Sequence, residues 1–241
     1  MSVTWGVLAI LGVVVAVGSL IQGTIGFGVA VIAAPVTVML APSLLPGSVL
    51  ICGFTLAVVQ LAHGRGNIDW RAFGWSMSAR LISTPLGVLL VARWSARAIA
   101  VAVGVLLLVT VTLTVWRLAL RNTARNAALA GLISGVSGTA ASIGGPFIAL
   151  VLREEPPERA RGTLGATFVV GSLTSLLALA VGGQLNHDQV VAGLVWMPCV
   201  LAGYAAAAPL RARVDADRFR RWVLIFCVLA SVSVLARAAV G

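Results

Sequence analysis

Long apolar stretches alternate with short polar breaks along the whole chain. An α-helix needs about 20 apolar residues to cross the hydrocarbon core of a bilayer, and most of these stretches approach that length. They fall at about residues 4–21, 23–40, 45–62, 71–92, 98–116, 126–152, 160–182, 189–210 and 222–240. The pattern predicts an all-α polytopic membrane protein with about 8 transmembrane helices.

The composition agrees with this pattern and excludes a soluble domain. The chain has 241 residues, of which 60% are hydrophobic and 10% are charged, whereas a soluble domain has about 25% charged residues. All 17 basic residues are arginine, and the formal net charge is +10. Because most arginines lie in the short breaks between apolar stretches, we interpret them as orientation signals in a lipid bilayer and predict no nucleic-acid partner.

Two glycine-rich segments lie inside apolar stretches and resemble each other. The first covers residues 22–35 and the second covers residues 134–146, and a shift of 112 positions places Gly23 on Gly135. Glycine and proline interrupt helices, and a membrane tolerates an interrupted helix where protein or a water-filled cavity takes up the freed backbone groups. Paired interruptions in two halves of a chain are the best sequence indicator of a transporter's substrate site.

The repeated order of segments predicts two homologous halves, each with a Gly/Pro-broken or re-entrant helix followed by three conventional spans. We place the first transmembrane repeat at residues 1–118, the connecting loop at 119–125 and the second repeat at 126–241. If each broken segment crosses the membrane once, there are about eight crossings, and the arginine bias puts the 211–221 loop in the cytoplasm and both termini outside. If each is a hairpin, the halves are inverted repeats.

The broken segments supply the candidate binding residues for an anion. Free backbone N–H groups and the N-termini of half-helices attract negative charge, and neutral hydroxyl and amide side chains add hydrogen bonds. The predicted substrate-binding residues are Gln22, Gly23, Thr24, Gly26, Phe27, Gly28, Pro35, Arg80, Ser134, Gly135, Ser137, Gly138, Thr139, Ser142, Gly144, Gly145 and Pro146. The alternative for the glycines is close helix packing, because small residues at four-residue spacing favour helix contact in lipid.

Arg80 is the only charged residue well inside a predicted span. A charge in the middle of the bilayer costs at least about 2.5 kcal/mol, so Arg80 is a candidate for adding positive charge to the anion site. The alternative is that its guanidinium reaches the headgroups, because the stretch of helix between Arg71 and Arg80 rises only about 13 Å.

We find no constellation for catalysis, metal binding or a cofactor. None of the seven acidic residues lies mid-span, and Cys52, Cys199 and Cys227 do not have metal-ligand spacing. The lack of intramembrane carboxylates also argues against a proton relay built from side chains. The sequence therefore predicts a protein that is not an enzyme and that uses no metal or cofactor.

The glycine segments and one polar loop together resemble the TauE/SafE sulfite exporter family. The matching stretches are Gly-Thr-Ile-Gly-Phe-Gly-Val-Ala-Val-Ile-Ala-Ala-Pro at residues 23–35, Gly-Asn-Ile-Asp-Trp at 66–70, and Gly-Leu-Ile-Ser-Gly-Val-Ser-Gly at 131–138 with Gly-Pro at 145–146. The resemblance covers essentially the whole chain. It implies a multi-pass protein of the bacterial inner membrane that moves small anions, typically sulfite, sulfoacetate and other sulfonates, or organic acids.

The residues and the resemblance together predict a secondary transporter that binds a small anion between two broken helices near the midplane. Sulfite, a sulfonate or sulfoacetate-like oxyanion, and a small organic acid are the predicted substrates. Two other functions remain open, namely a channel-like anion pore that uses the same residues and a non-transporting scaffold subunit. The sequence also leaves homo-oligomerisation, transport direction and the coupling ion open.

Overall fold

The computed structural model describes residues 4–26, 28–63, 67–116, 118–211 and 215–240. Its helices are α1 (Trp5–Ile25), α2 (Val29–Leu40), α3 (Gly47–His63), α4 (Trp70–Arg93), α5 (Ala96–Val115), α6 (Ala124–Ala141), α7 (Gly145–Val151), α8 (Pro157–Val181), α9 (His187–Arg211) and α10 (Ala216–Val240). A short 3-10 helix (Pro42–Leu44) lies between α2 and α3. No strand occurs within these ranges, which confirms the all-α prediction. Phe27 and Gly66 lie outside the described residues.

The lengths and apolar character of the helices confirm a polytopic membrane protein. In the described part of the chain, 6 helices are long and apolar enough to cross a membrane, namely α1, α4, α5, α8, α9 and α10. The apolar helices α2 and α3 are shorter. Exposed tryptophans occur near helix ends, at Trp5, Trp94, Trp70, Trp116 and Trp222. Tryptophan is enriched at the interface between membrane and water, so these side chains indicate the two faces of the membrane.

Contacts along α1 and α9 show that these helices run parallel. A Cβ added at Gly12 would lie 3.3 Å from Sγ of Cys199, and a Cβ added at Gly23 would lie 3.3 Å from Cδ2 of Tyr204. The ring of Tyr204 also lies 6.0 Å from the ring of His63, at the C-terminal end of α3. The bundle therefore has two ends, which we call the Trp5 end, where α1 begins, and the His63 end, where α3 ends.

Helices α4 and α6 also run parallel, but they start at the His63 end. A Cβ added at Gly131 would lie 2.1 Å from the carbonyl oxygen of Ser76, and a Cβ added at Gly87 would lie 3.0 Å from that of Val136. Only glycine allows two backbones to approach this closely. The pair α4 and α6 joins the two halves of the chain, as does the pair α1 and α9.

The first broken segment is a hairpin that enters from the Trp5 end. Gly26 and Gly28 have φ angles of 76° and 92°, which glycine adopts without strain. The chain then turns back, so that Val29 lies against Gly18, where an added Cβ would be 3.1 Å from the Val29 carbonyl oxygen. Helix α2 returns to the Trp5 end, where the Met39 carbonyl accepts a hydrogen bond from Arg237.

The second broken segment is a hairpin that enters from the His63 end. Helix α6 ends at Ser142, which has a φ angle of 61° and donates a hydrogen bond to the Pro46 carbonyl. Helix α7 then returns, and Leu120 N donates to the Leu150 carbonyl near the start of α6. The interpretation with a single crossing for each broken segment is therefore wrong, and the hairpin interpretation is correct. This changes the grouping of the arginines, because Arg93 now lies at the same end as Arg237.

Asp69 ties the start of α4 to two other segments at the His63 end. Its carboxylate accepts hydrogen bonds from Arg71 N and Ala72 N at 3.1 Å and from Asn122 Nδ2 at 2.8 Å. Arg159 Nη2 lies 3.6 Å from the same carboxylate. Burial raises the pKa of Asp69, but the hydrogen bonds from Ala72 and Asn122 and the charge of Arg159 outweigh it, so the pKa is lowered overall.

We expect Asp69→Asn to destabilise the protein in a pH-dependent manner. Because the folded-state pKa of Asp69 is lowered, its charge stabilises the fold above the unfolded pKa of about 3.9, and this contribution is lost as the pH falls through the folded value. A carboxylate at a helix N-terminus contributes about 1 kcal/mol or less. Melting temperatures in detergent should therefore differ between variant and wild type at pH 7 and converge near pH 3, within the range in which the protein stays folded.

Asp188→Asn is the matched control for this experiment. Asp188 lies in the first turn of α9, but its side chain is exposed, and its ion pair with His187 is 3.9 Å long. We expect this change to leave the melting temperature almost unaltered. An Asp69→Asn effect of the same size at pH 7 and at pH 3 would show that the stabilisation comes from the hydrogen-bond geometry and not from the charge.

A cavity between the two chain breaks

One interior cavity lies between the two hairpins. Its volume is about 330 Å³. The lining comes from α1, α2, α3, α5, α7, α8 and α10 and from both chain breaks, and it includes Gln22, Gly26, Gly28, Val29, Gly53, Thr110, Ser142, Gly145, Pro146, Phe168 and Ser172. The breaks of two distant segments therefore face the same space.

The start of α2 lies on the cavity wall and is capped by a side chain. Val29 N donates a hydrogen bond to the Oε1 atom of Gln22, whose Nε2 atom donates to Gln60 Oε1 at 3.1 Å. The first backbone N–H groups of a helix lack partners within the helix and carry partial positive charge. The Gln22 oxygen therefore marks a place where an oxygen of a bound anion would be stabilised by the same N–H group.

The start of α7 faces the cavity from the other half of the chain. Gly145 and Pro146 line the cavity, and proline suits the first turn of a helix because its missing N–H would have no partner there. The ring of Phe168 covers Gly145, where an added Cβ would lie 2.5 Å from Cζ. Hydroxyl groups of Ser142 and Ser172 complete this side of the cavity.

All the charged side chains that line the interior cavity are arginines. Among the described residues, they are Arg153, which follows α7, and Arg220, in the first turns of α10. No aspartate or glutamate whose side chain the structure describes is part of this lining. The electrostatic character of the cavity therefore suits an anion.

A wider vestibule of about 810 Å³ continues from the cavity toward the His63 end. Its lining adds Gln60, His63 and Tyr204 on one side and Glu155, Glu158 and Arg161 on the other. The cavity and the vestibule share a neck, which consists of Gln22, Ile25, Gly26, Ala149, Arg153, Leu164, Phe168 and Arg220. The cavity is thus adjacent to the vestibule, which lies at the His63 end.

The connection between α2 and α3 lies at the Trp5 end, beside the second chain break. We call this connection, residues 41–46, the floor. Leu44 and Leu45 are buried, and Gln189 Nε2 donates hydrogen bonds to the carbonyls of Ser43 at 3.2 Å and Leu45 at 2.9 Å. Ser142 Oγ, at the second chain break, donates to the Pro46 carbonyl at 3.1 Å.

Arg80 lies behind the cavity wall, between α4, α6 and α8. Its Nη1 atom donates to Oγ and the carbonyl of Ser134, and its Nη2 atom donates to the Gly171 carbonyl at 3.2 Å and to Ser175 Oγ at 3.1 Å. The Nε atom has no partner among the described residues. Arg80 is buried and has no carboxylate partner in the part of the chain that the structure describes, so it does not extend to the headgroups.

The structure divides the predicted binding residues into two groups, apart from the undescribed Phe27. Those that line the interior cavity or its vestibule are Gln22, Gly23, Thr24, Gly26, Gly28, Ser142, Gly145 and Pro146. Those that do not line it are Pro35, Arg80, Ser134, Gly135, Ser137, Gly138, Thr139 and Gly144. Pro35 lies inside α2.

Most of the second group, other than Pro35 and Ser137, lies around Arg80. Added Cβ atoms at Gly138 and Gly144 would each lie 2.9 Å from Arg80 Nη1, so these glycines make room for the guanidinium. Thr139 Oγ1 lies 2.8 Å from Ser175 Oγ, which itself accepts from Arg80. Gly135 and Gly138 remain within α6, as the packing alternative predicts.

Sequence reasoning missed the aromatic and basic residues of the neck. Phe168 is one of many apolar residues in α8, and no pattern distinguishes it. Arg153 and Arg220 lie in polar breaks that carry several arginines each. One signal in the sequence could have pointed to these two arginines. The break that contains Arg153 follows the second hairpin, and the break that contains Arg220 precedes the last span.

Two opposed hairpins around a cavity in an all-helical membrane protein are typical of membrane transporters. Comparison with known families agrees with this class. The model of the family described as Sulfite exporter TauE/SafE matches residues 10–234, and the chain belongs to this family. It is thus a multi-pass membrane protein of a sulfite and small-anion transporter family. Searches of curated proteins and of solved structures returned no match.

Proposed function

We propose that this protein is a secondary transporter of the bacterial inner membrane that carries a small oxyanion. The substrates that we expect are sulfite, a sulfonate such as sulfoacetate, or a small carboxylate. The observation that supports this proposal is the interior cavity, because two chain breaks and two arginines face it while none of the described carboxylates lines it. Backbone N–H groups at the start of α2 and the hydroxyl of Ser172 would replace the water around the anion.

We further infer that residues 1–118 and 126–241 are inverted repeats. Their broken segments enter from opposite ends, as α1 and α6 show. Helix α1 packs on α9 of the other half, and α6 packs on α4, as expected for a two-fold axis in the membrane plane. Such an arrangement allows one structure to interconvert between openings to either side.

The distribution of arginines supports a cytoplasmic position for the His63 end. The described arginines at the Trp5 end are Arg93, Arg97 and Arg237. Those at the His63 end are Arg71, Arg121, Arg125, Arg153, Arg159, Arg161, Arg211, Arg218, Arg220 and Arg221. Since loops rich in arginine stay in the cytoplasm, the vestibule would open to the cytoplasm and both termini would lie outside.

The closed floor favours a transporter over a channel-like pore. Gln189 and Ser142 hold residues 41–46 in place by hydrogen bonds, and a fixed floor would leave the vestibule as the route to the cavity. Saturable flux into proteoliposomes that is stimulated by substrate on the opposite side is the expected result. A linear current without saturation would instead support the pore.

Anions of the proposed class should stabilise the purified protein. A ligand at 100 times its Kd adds about 2.7 kcal/mol, which corresponds to roughly 5–10 °C in melting temperature for a chain of this size. The measurement is a thermal-shift series in detergent with sulfite, sulfoacetate, thiosulfate and acetate, and with chloride at equal ionic strength as the control. If none of the oxyanions exceeds chloride, the proposed function fails.

A further inference from the structure

Two arginines converge on the neck from segments that are far apart in the chain. Arg153 follows α7 and Arg220 belongs to α10, yet both line the cavity as well as the vestibule. Neither forms an ion pair with a described residue. The acidic residues of the vestibule, Glu155 and Glu158, do not line the interior cavity.

The position of Arg153 is held by a backbone contact. Its Nη1 atom donates a hydrogen bond to the Leu118 carbonyl at 3.1 Å, which leaves its remaining N–H groups for a ligand. A guanidinium is planar, always charged and suited to bidentate contact with an oxyanion. One nearby carboxylate, that of Glu155, is already engaged by Asn122 Nδ2 at 2.7 Å and by Arg159.

We propose that Arg153 and Arg220 form a cationic neck that selects substrates with two negative charges over substrates with one. This inference rests on the proposed function and assigns its charge specificity to two residues. Coulomb attraction is proportional to the charge of the ligand, so each arginine attracts a dianion about twice as strongly as a monoanion. The neck lies where a substrate passes from the vestibule to the chain breaks, so it contributes to binding affinity.

Sulfoacetate and methanesulfonate are suitable probes, because both carry a sulfonate while only sulfoacetate also carries a carboxylate. Dissociation constants are measured by calorimetry in detergent at low and high salt. We expect sulfoacetate to bind the wild type more tightly, with a preference that decreases as salt screens the charges. Arg153→Gln and Arg220→Gln should each weaken sulfoacetate binding by about tenfold and methanesulfonate binding by about threefold.

Arg218→Gln is the matched control, because it removes the same charge from an exposed position on α10 that lines neither the cavity nor the vestibule. It should change both dissociation constants by less than about twofold. Melting temperatures without ligand show whether each variant is folded. Arg153→Lys and Arg220→Lys keep the charge and should preserve the preference for the dianion if the glutamine variants do not fold.

The possible results separate this inference from the proposed function. If neither sulfonate nor sulfite binds the wild type, both are wrong. If the wild type binds anions but the glutamine variants keep the wild-type preference for sulfoacetate, the cationic neck is wrong and the proposed function stands. If the glutamine variants weaken the binding of both probes by the same factor, the arginines shape the neck but do not discriminate between ligands by charge. This result would also overturn the inference.

Discussion

Gly131→Ala should lower the melting temperature of the protein by roughly 5–10 °C, because overpacking costs about 1–3 kcal/mol and sometimes more. A Cβ at this position would lie 2.1 Å from the carbonyl oxygen of Ser76 and 2.8 Å from its carbonyl carbon. Both are backbone atoms, so no side-chain rotation relieves the clash. Helices α4 and α6 would have to separate along their whole contact.

Gly74→Ala is the control for this substitution. Gly74 also lies inside a helix, α4, but an added Cβ there would meet nothing within 4 Å. Alanine favours a helix over glycine by about 0.5–1 kcal/mol at either site, so the control should be neutral or slightly stabilising. The measurement is thermal unfolding in detergent without ligand. Equal melting temperatures for the two variants would contradict the close approach of α4 and α6.

Gly203→Ala tests the corresponding contact between α1 and α9. An added Cβ would lie 2.1 Å from the carbonyl oxygen of Ala16. If the halves are inverted repeats, this substitution should destabilise the protein about as much as Gly131→Ala. A neutral result here, together with a large effect at Gly131, would speak against equivalent roles for the two contacts.

Arg80→Met should leave the protein folded but weaken anion binding by about tenfold or more. None of the described carboxylates pairs with the guanidinium, so its removal leaves no described carboxylate buried without a partner. Its Nη1 atom reaches the second chain break, because a Cβ added at Gly144 would lie 2.9 Å away, and the adjacent Gly145 lines the cavity. A unit charge at about 10 Å contributes about 1.7 kcal/mol at an effective dielectric constant of about 20.

Arg80→Lys provides the control, because it keeps the positive charge and loses the planar fork. We expect its dissociation constant for sulfite to stay within about fivefold of the wild type. The two quantities to measure are the melting temperature and the dissociation constant. If Arg80→Met binds sulfite as tightly as the wild type, the guanidinium only joins α4 to α6 and α8. If it fails to fold, Arg80→Gln, which removes the charge but keeps hydrogen-bond donors, replaces it in the binding measurement.

The positions of the chain breaks could be anticipated from the sequence with partial success. The first break occurs at Gly26 and Gly28, as the glycine pattern indicates, because these residues adopt positive φ angles. The second break occurs at residues 142–144 and begins at Ser142, a residue type that does not usually signal such a conformation. The glycines that match the first segment, Gly135 among them, remain helical and serve packing.

Hairpins could not be distinguished from kinked single crossings by apolar length alone. Residues 126–152 are long for one span and short for two. The decision depends on contacts across the chain, such as that between the Leu150 carbonyl and Leu120 N. For the same reason the arginines at the two ends could not be counted correctly in advance.

The character of this protein as a multi-pass helical bundle follows from its sequence, because a chain with so few charges and such long apolar stretches satisfies its backbone in lipid only as helices. The sequence also marks Arg80 as exceptional, since a charge within a span is costly wherever it lies. Only the tertiary structure decides that Arg80 stays behind the wall while Arg153 and Arg220 face the cavity. The contacts between side chains depend on how the glycine faces of distant helices pack together. No local sequence pattern encodes these contacts.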